Sequence, residues 1–240
     1  MSERIKMRVK FSKRGALKFI GHLDIMRYFQ KAFRRSGIDI AYTGGFSPHP
    51  VMSFAAPLGV GLESDGEYLD VELNSPEDTA EMKEKLNEQM AEGIEILSVA
   101  LLPERSGSAM AAVAAAGYYL AFRNEFIPPD GWQNAIDRFL SKEKIIVEKR
   151  TKKSIMEIDL KPAIYDFRLS SYGEKDCLYL MVNASSAGNI KPAMVIEALC
   201  NELELPFDAG WLMITKEDTY LNTGTESEPV FMPMDAVASQ

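Results

Sequence analysis

The chain has 240 residues, 46% hydrophobic and 26% charged, with a formal net charge of −8. That length suits two domains of about 100–150 residues each, and the balance is ordinary for a globular fold. No apolar run approaches the roughly 20 residues that span a bilayer as a helix, and an acidic chain is not a general nucleic-acid binder.

The charge is unevenly spread. Residues 1–50 hold 11 Lys/Arg against 3 Asp/Glu, whereas the remainder holds 16 against 32. A basic docking surface on an acidic body is the expected consequence. The N-terminus enters a strand pattern with no apolar leader, and Cys177 and Cys200 sit in apolar patterns as buried thiols. A reducing, cytoplasmic setting is therefore expected.

In chain order, Ile5, Met7, Val9 and Phe11 alternate with Arg4, Lys6, Arg8 and Lys10, which predicts a half-buried strand. A turn at Ser12–Gly15 precedes a helix over His22–Ser36, with Gly37 as its C′ residue. At 100° per residue Ile25, Met26, Phe29, Ala32 and Phe33 form one arc. Arg27, Lys31, Arg34 and Arg35 line the other side with Asp24, whose carboxylate suits the helix start. Ile38–Tyr42 and Glu67–Leu73 read as strands. Ser75-Pro76-Glu77-Asp78 opens a helix that runs to Gly93, and Ile94–Leu101 closes the unit.

That order is β-α-β-β-α-β, the ferredoxin-like arrangement. Strands at Tyr118–Phe122, Ile145–Val147, Ile155–Leu169, Cys177–Val182 and Trp211–Ile214, with helices around Trp132–Leu140 and Lys191–Leu203, repeat it with elaboration. The expected fold is α+β, with two ferredoxin-like halves and an extra strand in the second. The halves would span residues 1–104 and 118–221, joined by 105–117, with a loose tail at 222–240.

Both histidines lie in one stretch. His22 and Asp24 stand at a helix start, where unpaired backbone N–H groups hold an anion or are capped by Asp24. In Gly44-Gly-Phe-Ser-Pro-His-Pro50 each proline keeps the residue before it extended, so Ser47 and His49 project from a stiff arm or pack as a rigid turn. A metal held by His22, Asp24 and His49 has no supporting spacing, and histidine-based acid/base chemistry is conceivable. The strand cations have a structural explanation, because Asp70 and Glu72 fall on a neighbouring strand. The helix cations have none so obvious, which makes Arg27, Lys31, Arg34 and Arg35 the better phosphate contacts. A basic turn follows at Lys149-Arg150-Thr-Lys152-Lys153, and the loop Ser185–Pro192 opens a helix without P-loop spacing.

Lys18-Phe-Ile-Gly-His-Leu-Asp24, Arg27, Arg34-Arg35, Tyr42–Pro50 and Ser53-Phe-Ala-Ala-Pro-Leu58 resemble the bacterial radical SAM-linked protein family, as does Lys149–Pro162. Members of that family are fused to, or encoded beside, cobalamin-binding-type radical SAM proteins, often near a ribonuclease of the E/G type and ribosomal-protein genes. The resemblance implies a separately encoded radical SAM partner and RNA- or ribosome-related work. This chain has no cluster-binding cysteine motif, since such a cluster needs three thiolates, so no cofactor is expected in it. The leading expectation is a non-catalytic accessory protein that binds RNA or another anionic substrate. The alternatives are an RNA-processing or RNA-modifying enzyme using His22 and His49, and a protein-interaction module. The sequence leaves substrate and oligomeric state open.

Overall fold

In a computed structural model, residues 4–103, 106–123, 131–150 and 155–236 are described, with Arg150 described by its backbone alone. The chain divides into two compact units, Met1–Ala114 with Lys216–Gln240, and Ala115–Thr215.

The first unit grows from β1 (Ile5–Lys13), whose Met7, Val9 and Phe11 are buried as the alternation requires. A short 3-10 turn leads into α1 (His22–Ser36), which buries Ile25, Phe29, Ala32 and Phe33. Phe29 meets Phe11 and Phe54 at ring-centroid distances of 4.7 and 5.9 Å. Each such buried ring contributes about 1.5–3 kcal/mol. The helix stops at Gly37, whose φ of 73° is left-handed and favours a residue with no Cβ.

β2 (Met52–Phe54), β3 (Glu63–Leu73), α2 (Thr79–Asn87) and β4 (Ile94–Leu101) complete the βαββαβ order. The strands lie as β4-β1-β3 with β2 on β3, every one of these pairs antiparallel, which is the ferredoxin-like topology.

Three local expectations change. Ile38–Tyr42 forms bridges at Ile40 and Tyr42 rather than a strand. The α2 cap is Asp78, whose carboxylate accepts from the N–H groups of Ala80 and Glu81, so Pro76 lies before the helix. That helix ends at Asn87, whose side chain instead bonds the Ile96 backbone in both directions.

Of the stretch expected as a joint, 115–117 opens the second unit and 106–114 belongs to the first. The stretch contains α3 (Ala109–Ala112), and the Ala109 N–H donates to buried Asp70 at 3.0 Å. The second unit begins with β5 (Ala115–Phe122) and continues with α4 (Gly131–Ser141), β6 (Ile146–Arg150) and β7 (Ile155–Asp159). β8 (Ile164–Tyr172), β9 (Lys175–Asn183) and α5 (Pro192–Glu202) follow. The long strand expected at 155–169 is split by a 3-10 turn containing Pro162, whose ring cannot donate to a ladder. β6 and β7 form their own ribbon, and the rest, joined by β10 (Leu212–Asn222), order as β10-β5-β9-β8, a second ferredoxin-like set.

β10 (Leu212–Asn222) returns the chain to the first unit at Lys216. The segment expected as a loose tail is structured through residue 236. β11 (Phe231–Pro233) pairs with β10, and Met234 is fully buried. The polar turn between them hides any periodicity. Gly66 on β3 permits the close approach of this returning segment, since a Cβ there would lie 2.4 Å from Asp218 Oδ1 and 2.6 Å from its Cα. Among the described residues no helix is long and apolar enough to cross a membrane.

Candidate functional site

The cations of β1 are answered within the first unit. Arg8 lies opposite Asp70 in the ladder and grips it through two bonds of 2.8 and 3.0 Å, both side chains 4% exposed. Its Nη1 donates to the Met234 carbonyl at 3.0 Å. Lys10 sits 2.6 Å from Asp218 and 3.9 Å from Asp235. Arg4 pairs with Glu72, Arg14 with Asp65 and Lys18 with Glu63. Lys6 donates to the carbonyls of Ser106 and Gly107. The Tyr68 hydroxyl is shared by Asp218 and Asp235, at 2.8 and 3.1 Å. Burial, then these two carboxylates, raise its ionisation well above the ordinary 10.0.

A further buried cluster was not visible in the sequence. Glu67 Oε1 lies 2.6 Å from Lys216 Nζ, an ion pair whose approach falls off the hydrogen-bond direction. Lys13 is 3% exposed and donates to the Ile20 carbonyl. Its burial lowers the ammonium pKa, with Glu67 opposing. The only cue was a lysine breaking the apolar side of the first strand.

α1 is different. Lys31 and Arg34 are exposed, and among the described residues neither has a hydrogen bond or an acidic partner. Arg27 meets Asp24 at 3.4 Å with both side chains about two-thirds exposed, a pair that solvent screens. Arg35 donates to the side chain and carbonyl of neutral Gln89, which leaves its charge uncompensated. The four cations expected to meet phosphate therefore share a helix whose buried side faces the core.

His22 stands one residue after the Gly21 cap and packs edge-on against Phe54, with ring centroids 5.2 Å apart. It borders a cavity of about 20 Å³ with Lys13 and Glu67. That is room for about one water molecule rather than a substrate. Asp24 points outward to Arg27 and makes no side-chain cap.

His49 belongs to the arm. Ala41 donates to the Glu72 carbonyl, Glu72 donates to the Val51 carbonyl, and Val51 donates to Ala41. Residues 42–50 thus leave and rejoin the sheet edge at one point. Thr43 and His49 close the base: the Thr43 N–H donates to the His49 carbonyl, and the His49 N–H to Thr43 Oγ1. His49 Nδ1 lies 3.1 Å from Thr43 Oγ1. Ser47 and His49 are exposed, and Phe46 at the tip has a relative exposure of 110%. Among the described residues no three His, Cys, Asp or Glu side chains group so as to hold a metal ion. His22, Asp24 and His49 therefore form no metal-holding group among the described residues.

In the second unit Lys149 donates to the Asn189 carbonyl. Lys152, Lys153 and the Arg150 side chain lie outside the described residues. The Ser185–Pro192 loop turns on itself through Asn183, which accepts from Ser185. Sequence reading missed a groove of about 870 Å³ between β6 and α5, floored by Ile146 and Met194. The Lys142–Glu202 pair at 2.8 Å and Glu197 give it both signs of charge, so it selects no anion.

Fold and site together define an α+β protein of two ferredoxin-like units in which α1 carries cations without an acidic partner among the described residues. The chain belongs to the family described as an uncharacterised protein conserved in bacteria (DUF2344), whose model matches residues 6–192. That description names no radical SAM association. No curated protein matches the sequence. Among solved structures, a chain of a crystal structure titled as a Cbf5-Nop10-Gar1 complex is similar at 8% identity and a TM-score of 0.48. The likeness covers 89% of this chain and 48% of that one. This chain thus spans about half of its solved counterpart, and a likeness at that level supports no functional argument.

Proposed function

We propose that this protein binds RNA through the α1 face and presents it, without chemistry of its own, to a partner enzyme. Arg27, Lys31, Arg34 and Arg35 would meet phosphates. The carrying observation is the absence of any acidic partner for Lys31 and Arg34 among the described residues, in a unit where the strand cations are met by internal carboxylates or carbonyls. A polyanion gains from such a face by releasing its condensed counterions. The partner implied by the sequence resemblance is a separately encoded radical SAM protein, which would carry the cluster this chain lacks; that part rests on the resemblance alone.

Filter binding of cellular RNA at two salt concentrations tests the reading. The native chain should bind and lose affinity at the higher salt, and the Arg27→Ala/Lys31→Ala/Arg34→Ala variant should bind far more weakly. Binding indifferent to both changes would defeat it. A radical SAM protein that co-purifies, and is lost on charge reversal at Arg34 and Arg35 while RNA binding persists, would assign the face to protein instead.

A further inference from the structure

The arm at 42–50 has a conformation that works against its own most apolar residue. Leaving a phenyl ring in water forgoes the gain of burying it, and a loose loop would fold it inward. Here that collapse is opposed at both ends. The Thr43–His49 bonds close the base, Pro50 is buried, and Pro48 and Pro50 hold Ser47 and His49 extended. Gly45 takes a φ of 99°, a conformation that side-chain-bearing residues rarely adopt, and so turns the chain into the tip. Phe46 is held out at 110% relative exposure.

The residues around the ring decide what it would meet. A stable protein contact needs about 800 Å² per partner around a desolvated anchor. Along the arm Phe46 is flanked by Gly44, Gly45, Ser47, Pro48 and His49, all exposed and small or polar except the ring of Pro48, so the arm itself adds no apolar patch to the ring. A nucleobase needs only one open aromatic face and polar groups at its edge, which Ser47 and His49 supply. Arg4 stands at the arm's base, donating to both Glu72 and the Tyr42 carbonyl.

We infer that the Gly44–Pro50 arm stacks an unpaired nucleobase on Phe46, so that the RNA bound by the first unit is single-stranded. Bases inside a duplex are stacked on one another and offer no face to Phe46. The inference rests on the RNA reading and narrows it to one substrate class.

Fluorescence anisotropy separates the two ideas. The probes are a short fluorescein-labelled oligouridylate and the same strand annealed to its complement. Phe46→Ala should weaken single-strand binding about tenfold, the effect of losing one base–aromatic stack. It should leave duplex binding and the salt dependence unchanged, and Phe46→Trp should restore affinity. Equal binding of both probes, unaffected by Phe46→Ala but weakened by Lys31→Ala/Arg34→Ala, would overturn the stacking inference alone. A native chain that binds neither probe would overturn the RNA reading with it.

Discussion

β1 and α1 lie in the same unit and carry comparable sets of cations, yet those cations are met differently. On β1 and just before it an acid stands beside Arg4, Arg8 and Lys10, and Arg8 with Asp70 is almost fully withdrawn from water. On α1 the charges of Lys31, Arg34 and Arg35 face solvent uncompensated. A basic segment is thus no evidence of a polyanion site until its internal acids have been counted. Asp218 and Asp235, which neutralise Lys10, arrive from the far end of the chain.

The sharpest way to break the contrast is to remove a strand cation. Arg8→Ala leaves Asp70 charged, buried and unpaired, which should cost about 3–5 kcal/mol of the first unit's stability in denaturant unfolding. RNA affinity per folded molecule should not change. Gly66→Ala should follow, at the upper end of the roughly 1–3 kcal/mol typical of overpacking, because its Cβ collides with Asp218 and pushes that acid from Lys10.

Tyr68→Phe should cost about 1.5 kcal/mol at neutral pH by leaving two carboxylates short of a donor. It also carries a pH signature. The folded state holds the Tyr68 proton more tightly than the unfolded chain does, so this stabilisation is complete below the unfolded pKa near 10.0 and declines as pH rises above it. The native chain should therefore lose stability on the alkaline side with a slope that Tyr68→Phe reduces, measured by unfolding at a series of pH values.

The parts of the molecule legible in sequence are those with local causes. Alternation placed β1, and the apolar arc with Gly37 set α1 to run from His22 to Ser36. The pairing of Arg8 with Asp70 followed from the strand order. What escaped has non-local causes. The C-terminal segment has no hydrophobic period of its own, being tied down by Arg8, Lys10 and Tyr68. Within the expected joint, the Ala109 N–H is held by Asp70, far back in the chain. The prolines announced a stiff arm, but only the backbone bonds to Glu72 show it leaving the sheet edge, with Phe46 exposed at its tip.

Single neutralisations on α1 should be the mildest for the fold, since an exposed residue without partners changes stability by about 0.5 kcal/mol or less. They are also the most direct test of the account. The measurement is the slope of log affinity for single-stranded RNA against log salt concentration, for the native chain, Lys31→Ala and Arg4→Ala. Lys31→Ala should flatten the slope by about one unit, the loss of one phosphate contact, and Arg4→Ala, whose charge Glu72 already answers, should leave it unchanged. If Arg4→Ala flattened the slope and Lys31→Ala did not, the division between a structural strand and a binding helix would be wrong.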